Sequence, residues 1–182
     1  MKKRVVVGIV LLALVLSTVS AFAAEKKSKD IPWLVSFNSA GNLDLSITGG
    51  YSWYGLGVNA GAEFFLGQFD IGPIPLSWGV AVQGSAGFDP LGIGIGAADL
   101  PTLNFGTDFG SIWKFEWSVG VGLGITYNSW GGSVPFGIGI AQTARSIWWF
   151  SNSLGLTFDE GYINAFLWGS WYFYGVGVTL KL

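Results

Sequence analysis

Asp44, Glu63, Glu116 and Lys181 are charged residues set inside runs that otherwise alternate apolar and small residues. Their types could do chemistry. Three carboxylates and one ammonium could move protons, favour a cation, or pair with one another. The usual catalytic partners are absent from the sequence: there is no His and no Cys among 182 residues. That removes Ser-His-Asp catalysis, thiol chemistry, disulfides and the commonest metal ligand. "GIGIG" (92–96) has neither the G-x-G-x-x-G spacing nor the strand-to-helix context of a phosphate loop. The residues thus point to a chain that is no enzyme, with no cofactor and no metal site.

The elements that carry these four residues read as strands. In "WSVGVGLGITY" (117–127) every second residue is bulky and the residues between are Ser, Gly or Thr. Side chains in a strand alternate between two faces, so such a run has one apolar and one nearly bare face. The same alternation marks 43–51, 55–65, 76–88, 91–97, 134–143, 148–158 and 162–182. Eight strands are expected. A split near Gly169-Ser170 and a short strand over 103–109 would make ten. "WLVSF" (33–37) could add a strand or tuck against the sheet. "LGQFDIGPIP" (66–75) and 98–114 read as the longest connections and the best places for partner contact. "NSWGGS" (128–133) and "DEG" (159–161) read as a loop and a turn.

The first residues differ. A basic cluster (Lys2, Lys3, Arg4), an apolar run (Val5 to Leu16) and Ala21-Phe22-Ala23 form the three parts of a secretory signal peptide, residues 1–23. Residues 24–42 then read as an N-terminal periplasmic or plug segment, and 43–182 as the β domain. Beyond residue 23 there are six basic and eleven acidic residues, which makes nucleic acid an unsuitable partner.

The two faces suggest an environment. A soluble exterior would show Lys, Glu and Asp on the face opposite the core. Here the second face is Gly, Ser, Thr, Ala and Asn, and Asp44, Glu63, Glu116 and Lys181 all lie on it. The expectation is therefore an all-β, closed antiparallel up-and-down transmembrane β-barrel of eight strands, alternatively ten, with lipid outside and the four charges facing the lumen. Trp117 and Tyr127 share a face ten residues apart. With Trp148, Tyr172 and Tyr174 they are expected at the membrane interface, where amphipathic rings collect. Many inward glycines would leave volume inside, to be filled by water, a ligand, residues 24–42 or tight coiling of the strands.

On this alternation, and on the C-terminal run Tyr174, Val176, Val178, Leu180 and Leu182, the sequence resembles the small outer-membrane β-barrel proteins of the OmpA, OmpX or OmpW kind. The family usually ends in Phe; this chain ends in Leu182. The resemblance implies the outer membrane of a diderm bacterium after signal-peptide cleavage. It also implies outer-membrane lipid, the Sec translocon and the barrel-assembly machinery as partners. The expected function is an integral outer-membrane protein with a structural or interaction role. The alternatives are a narrow porin-like channel or small-molecule transport barrel, and a secreted self-assembling β protein.

Overall fold

Alternation of bulky and small residues favours extended backbone, and the described residues are strand almost throughout. The computed structural model describes residues 33–52, 55–89, 92–110, 113–129, 136–165 and 170–182. The expected signal peptide and residues 24–32 lie outside them. The strands are β1 (Leu34–Val35), β2 (Leu43–Ser52), β3 (Gly55–Ile71), β4 (Ile74–Asp89), β5 (Gly92–Asp108), β6 (Lys114–Asn128), β7 (Phe136–Trp149), β8 (Leu154–Ala165) and β9 (Ser170–Lys181).

They form one antiparallel sheet in the order β1-β5-β4-β3-β2-β9-β8-β7-β6, with β5 also meeting β6. Strands β3 to β5 are long, 16 or 17 residues each. Gly72, at φ +59°, turns β3 into β4 with a left-handed backbone that a side chain would strain. A bulge at Phe65/Gly67 shifts the β3–β4 register by one. The extra residue is Leu66; Phe65, just before it, is buried in phase with Asn59 and Glu63.

The expected fold is corrected here. Among the described residues the sheet has nine strands, neither eight nor ten, and it is branched: β1 adds to the end of β5 at Thr107 and Gly106, giving β5 three partners. Pairing between β5 and β6 runs from Gly94↔Asn128 to Asp99↔Leu123, lapses at Leu100 and Pro101, and resumes at Thr102↔Gly120. Pro101 has no N–H to give to a ladder. With β1 joined to β5 by two residue pairs alone and the β5–β6 ladder interrupted, the sheet is not the regular up-and-down barrel expected. The connections expected at 66–75 and 98–114 are largely strand, belonging to β3, β4 and β5. The expected break at 143–148 lies inside β7, and the expected turn at 159–161 lies inside β8.

The buried face is polar and the other face apolar. Asp44, Ser46, Thr48, Asn59, Glu63, Thr102, Asn104, Glu116, Ser118, Thr143, Arg145 and Asp159 are buried. Large apolar side chains on every long strand stand exposed, among them Ile47, Leu56, Val82, Ile95, Leu123, Ile138, Phe158 and Val178. The buried side is not the bare face expected from glycine. It also holds Phe65, Leu100, Ile147, Trp149, Ile163, Trp171 and Phe173. Leu100, Ala141, Ile163 and Trp171 pack as one cluster.

Candidate functional site

Alternation from Gly137 and Thr143 carries the buried phase of β7 on to Arg145, Ile147 and Trp149. β8 is paired so that Arg145 faces Asp159 across the ladder. β2 sets Asp44 between Glu63 on β3 and Lys181 on β9. β6 brings Glu116 to the same end. Six charged side chains from six strands thus meet inside, four carboxyl groups against two cations.

The network has two halves. In the first, Glu63 accepts hydrogen bonds from Thr102 Oγ1, from Asn104 Nδ2 at 2.7 Å and from Ser118 Oγ at 3.5 Å. Arg145 sits between Glu63 at 3.6 Å and Asp159 at 3.7 Å. Asn59 Nδ2 donates to Asp159, and Gln83 Nε2 donates to Thr143 Oγ1 at 3.2 Å. In the second half, Glu116 accepts from Trp149 Nε1 at 2.8 Å and from Asn38 Nδ2, and pairs with Lys181 at 3.8 Å. The Lys181 ammonium lies 4.3 Å from the centre of the Trp149 ring and donates to the Phe37 carbonyl at 3.2 Å.

Asp44 is different. It is 1% exposed, yet neither carboxylate oxygen accepts a hydrogen bond. Burial, and then the neighbouring Glu116, push its pKa up to about 8, with Lys181 opposing. Burial likewise raises Glu116, against the pull of Lys181 and the hydrogen bond from Trp149. One of these carboxyl groups, Asp44, therefore carries a proton at neutral pH.

The structure brings together all four charged residues singled out in the sequence. Arg145 and Asp159 were missed, because both sit where the sequence reads as a break between strands. The continuous small-residue phase through Gly137, Gly139, Ala141 and Thr143 was the signal that could have found Arg145. Among the described residues no group of three or more acidic side chains is disposed to hold a metal. The partly open space between Asn59, Gln83, Tyr162 and Trp171 is about 20 Å³, room for a single water. Large buried aromatics and the charged network fill the interior, which corrects the channel and transport alternatives. Among the described residues every long strand has partners on both sides, so no long free edge supports fibre growth by strand addition, which corrects the self-assembling alternative as an edge-to-edge assembly.

The aromatic residues expected at a membrane interface lie on the apolar face as ring clusters. Trp117 stacks on Phe105 at 5.2 Å, Trp148 on Phe115 at 6.2 Å, and Tyr127 leans on Phe136 at 5.0 Å. Tyr172 is half-buried and donates nothing to the network, and Tyr174 is exposed. Among the described residues no helix is long and apolar enough to cross a membrane, a fact about helices alone.

Protein-family models, curated proteins and solved structures yield no match to this chain. The resemblance to small outer-membrane barrels is corrected accordingly: neither a regular barrel nor a family match upholds it. The assignments that rested on it fall with it, namely an integral outer-membrane protein, its place in the outer membrane, and lipid, translocon and assembly-machinery partners.

Proposed function

We propose that the chain is a non-catalytic structural protein that works by contact, its interior holding the shape and its outer face meeting a partner of apolar chemistry. The observation that carries this reading is the inversion of the two faces. Charged groups are paired with one another on the buried face. The exposed face, by contrast, presents apolar side chains on every long strand. Apolar surface of that extent marks an interaction surface.

The test separates structure from chemistry. Glu63→Gln is expected to lower the unfolding midpoint and leave partner contact intact. Replacing exposed Val121 and Leu123 by Ser is expected to weaken contact with an apolar matrix and leave the unfolding midpoint nearly unchanged. Turnover of ester, phosphate, glycoside or peptide substrates by the native chain, lost in Glu63→Gln or Glu116→Gln, would overturn the proposal.

A further inference from the structure

Residues 33–42 cross the end of the sheet nearest the charged network. At one end of this segment β1 pairs with Thr107 and Gly106, and the Trp33 carbonyl accepts from the Asp108 N–H at 2.9 Å. At the other end Gly41 N–H donates to Phe65 O at 2.9 Å and Phe65 N–H donates to Asn42 O at 3.0 Å. Between these ties the chain is held by side chains of the interior and by Gln68 on β3. Asn38 is fully buried and donates to Glu116. Gln68 Nε2 donates to the Asn38 carbonyl. The Phe37 ring fills a slot over Gly106, where an added Cβ would lie 2.4 Å from it. The Phe37 carbonyl takes its hydrogen bond from Lys181.

Lys181 is the shared member. It serves Glu116 and the Phe37 carbonyl, and it is the direct cross-strand neighbour of Asp44. Directly opposed residues have Cβ atoms about 5 Å apart, so a turn of the Lys181 side chain reaches the Asp44 carboxyl. A neutral carboxyl gives it little reason to turn; an ionised one, with no hydrogen bond of its own, competes for it.

We propose that residues 36–42 are a strap whose grip on the interior is set by the proton on Asp44: with Asp44 neutral, Lys181 holds the Phe37 carbonyl, and with Asp44 ionised, Lys181 moves to it and the strap loosens. Every charged group facing Asp44 fits this exchange. Glu63 on β3 and Glu116 on β6 resist its ionisation, while Lys181 on β9 and Arg145 on β7 favour it. Glu116 keeps its bonds to Asn38 and Trp149 throughout, so the strap loosens around Phe37 while its two ends stay tied. The device does not depend on what the outer face meets.

Hydrogen exchange of the native chain, read by mass spectrometry and corrected for the intrinsic effect of pH, tests this. Protection of residues 36–40 is expected to fall about tenfold from one pH unit below the Asp44 midpoint to one unit above it, while the tied end at Gly41 and Asn42, and β3 and β9, stay protected. The midpoint should lie near pH 8. Asp44→Asn, which keeps the neutral form, should hold the strap at every pH. Lys181→Met should leave it loose at every pH. The proposal is overturned by a flat profile in the native chain, by the same loss in Asp44→Asn, by a protected strap in Lys181→Met, or by loss of protection over the whole sheet at once.

Discussion

A carboxyl that keeps its proton in the folded chain and loses it when unfolded makes stability depend on pH, and Asp44 is that group. Its pKa is 3.8 when free and about 8 when folded. Between those values the folded state holds a proton that the unfolded state lacks. Stability is therefore highest below the lower value and falls as pH rises through the window, by at most about 1.4 kcal/mol per unit, levelling above the upper value. Glu116, also raised by burial, acts in the same direction. Denaturant midpoints are expected to be higher at pH 5 than at pH 9, and Asp44→Asn should narrow the gap. A native chain that gains stability over that range would contradict the assignment. Arg145 is the second residue with a large expected effect. It is 3% exposed and stands between Glu63 and Asp159. Arg145→Met leaves two buried carboxylates facing one another and should cost about 3–5 kcal/mol in chemical unfolding. Adding Glu63→Gln should recover part of that loss, since it removes one of the stranded charges. Equal losses in the single and double variants would show that Arg145 acts through its bulk alone.

At the scale of strands, glycine on the inner face is a matter of clearance. A Cβ on Gly139 would meet the Asn164 carbonyl oxygen at 1.8 Å, and one on Gly177 would meet the Ile47 carbonyl oxygen at 1.9 Å. Gly49 and Gly84, on the outer face, have nothing within 4 Å. Gly139→Ala should therefore force the β7–β8 ladder apart and destabilise by about 1–3 kcal/mol. Gly49→Ala should be neutral or stabilising by up to about 1 kcal/mol, because it stiffens the unfolded chain. Thermal unfolding of the two variants checks the contrast, and equal effects would mean that the ladders yield freely. Strand positions were the most legible feature of the sequence. The alternation over 43–51 and 115–127 falls on β2 and β6 to within a residue at each end. Sheet form was less so. Alternation reports which face a side chain takes and is silent on which strand lies beside it. Nothing local marks β1 as a third partner of β5, or Pro101 as the place where pairing lapses. Arg145 and Asp159 were obscured by polar neighbours that resemble a break. Trp149, Trp171 and Phe173 were obscured because a large ring suits either face.

For the whole molecule the two faces pose one energetic question. Burying apolar surface stabilises by about 25 cal/mol per Å², and here much of that surface is outside. What remains inside is nearly continuous backbone pairing, the buried rings and the charged network. Such a chain keeps its shape without hiding its outer side chains, and the outer side chains then govern how it behaves among other molecules. Ile47, Leu56, Val119, Val121, Leu123, Ile125, Phe136 and Ile138 are all more than half exposed. Free of any partner, two such surfaces should meet and stay together, since apolar patches beyond a few hundred Å² mark sites of association. The folded chain in plain buffer is therefore expected to self-associate, and to become monodisperse when a nonionic amphiphile covers the outer face. Sedimentation in both conditions reads this directly, with circular dichroism confirming strand content in each. Replacing Val121, Leu123 and Ile138 by Ser together should shift the plain-buffer distribution toward monomer without altering the strand signal. A native chain that is monomeric in plain buffer with its strands intact would show that the exposed face is not the contact surface, and the contact role would have to be sought elsewhere on the molecule.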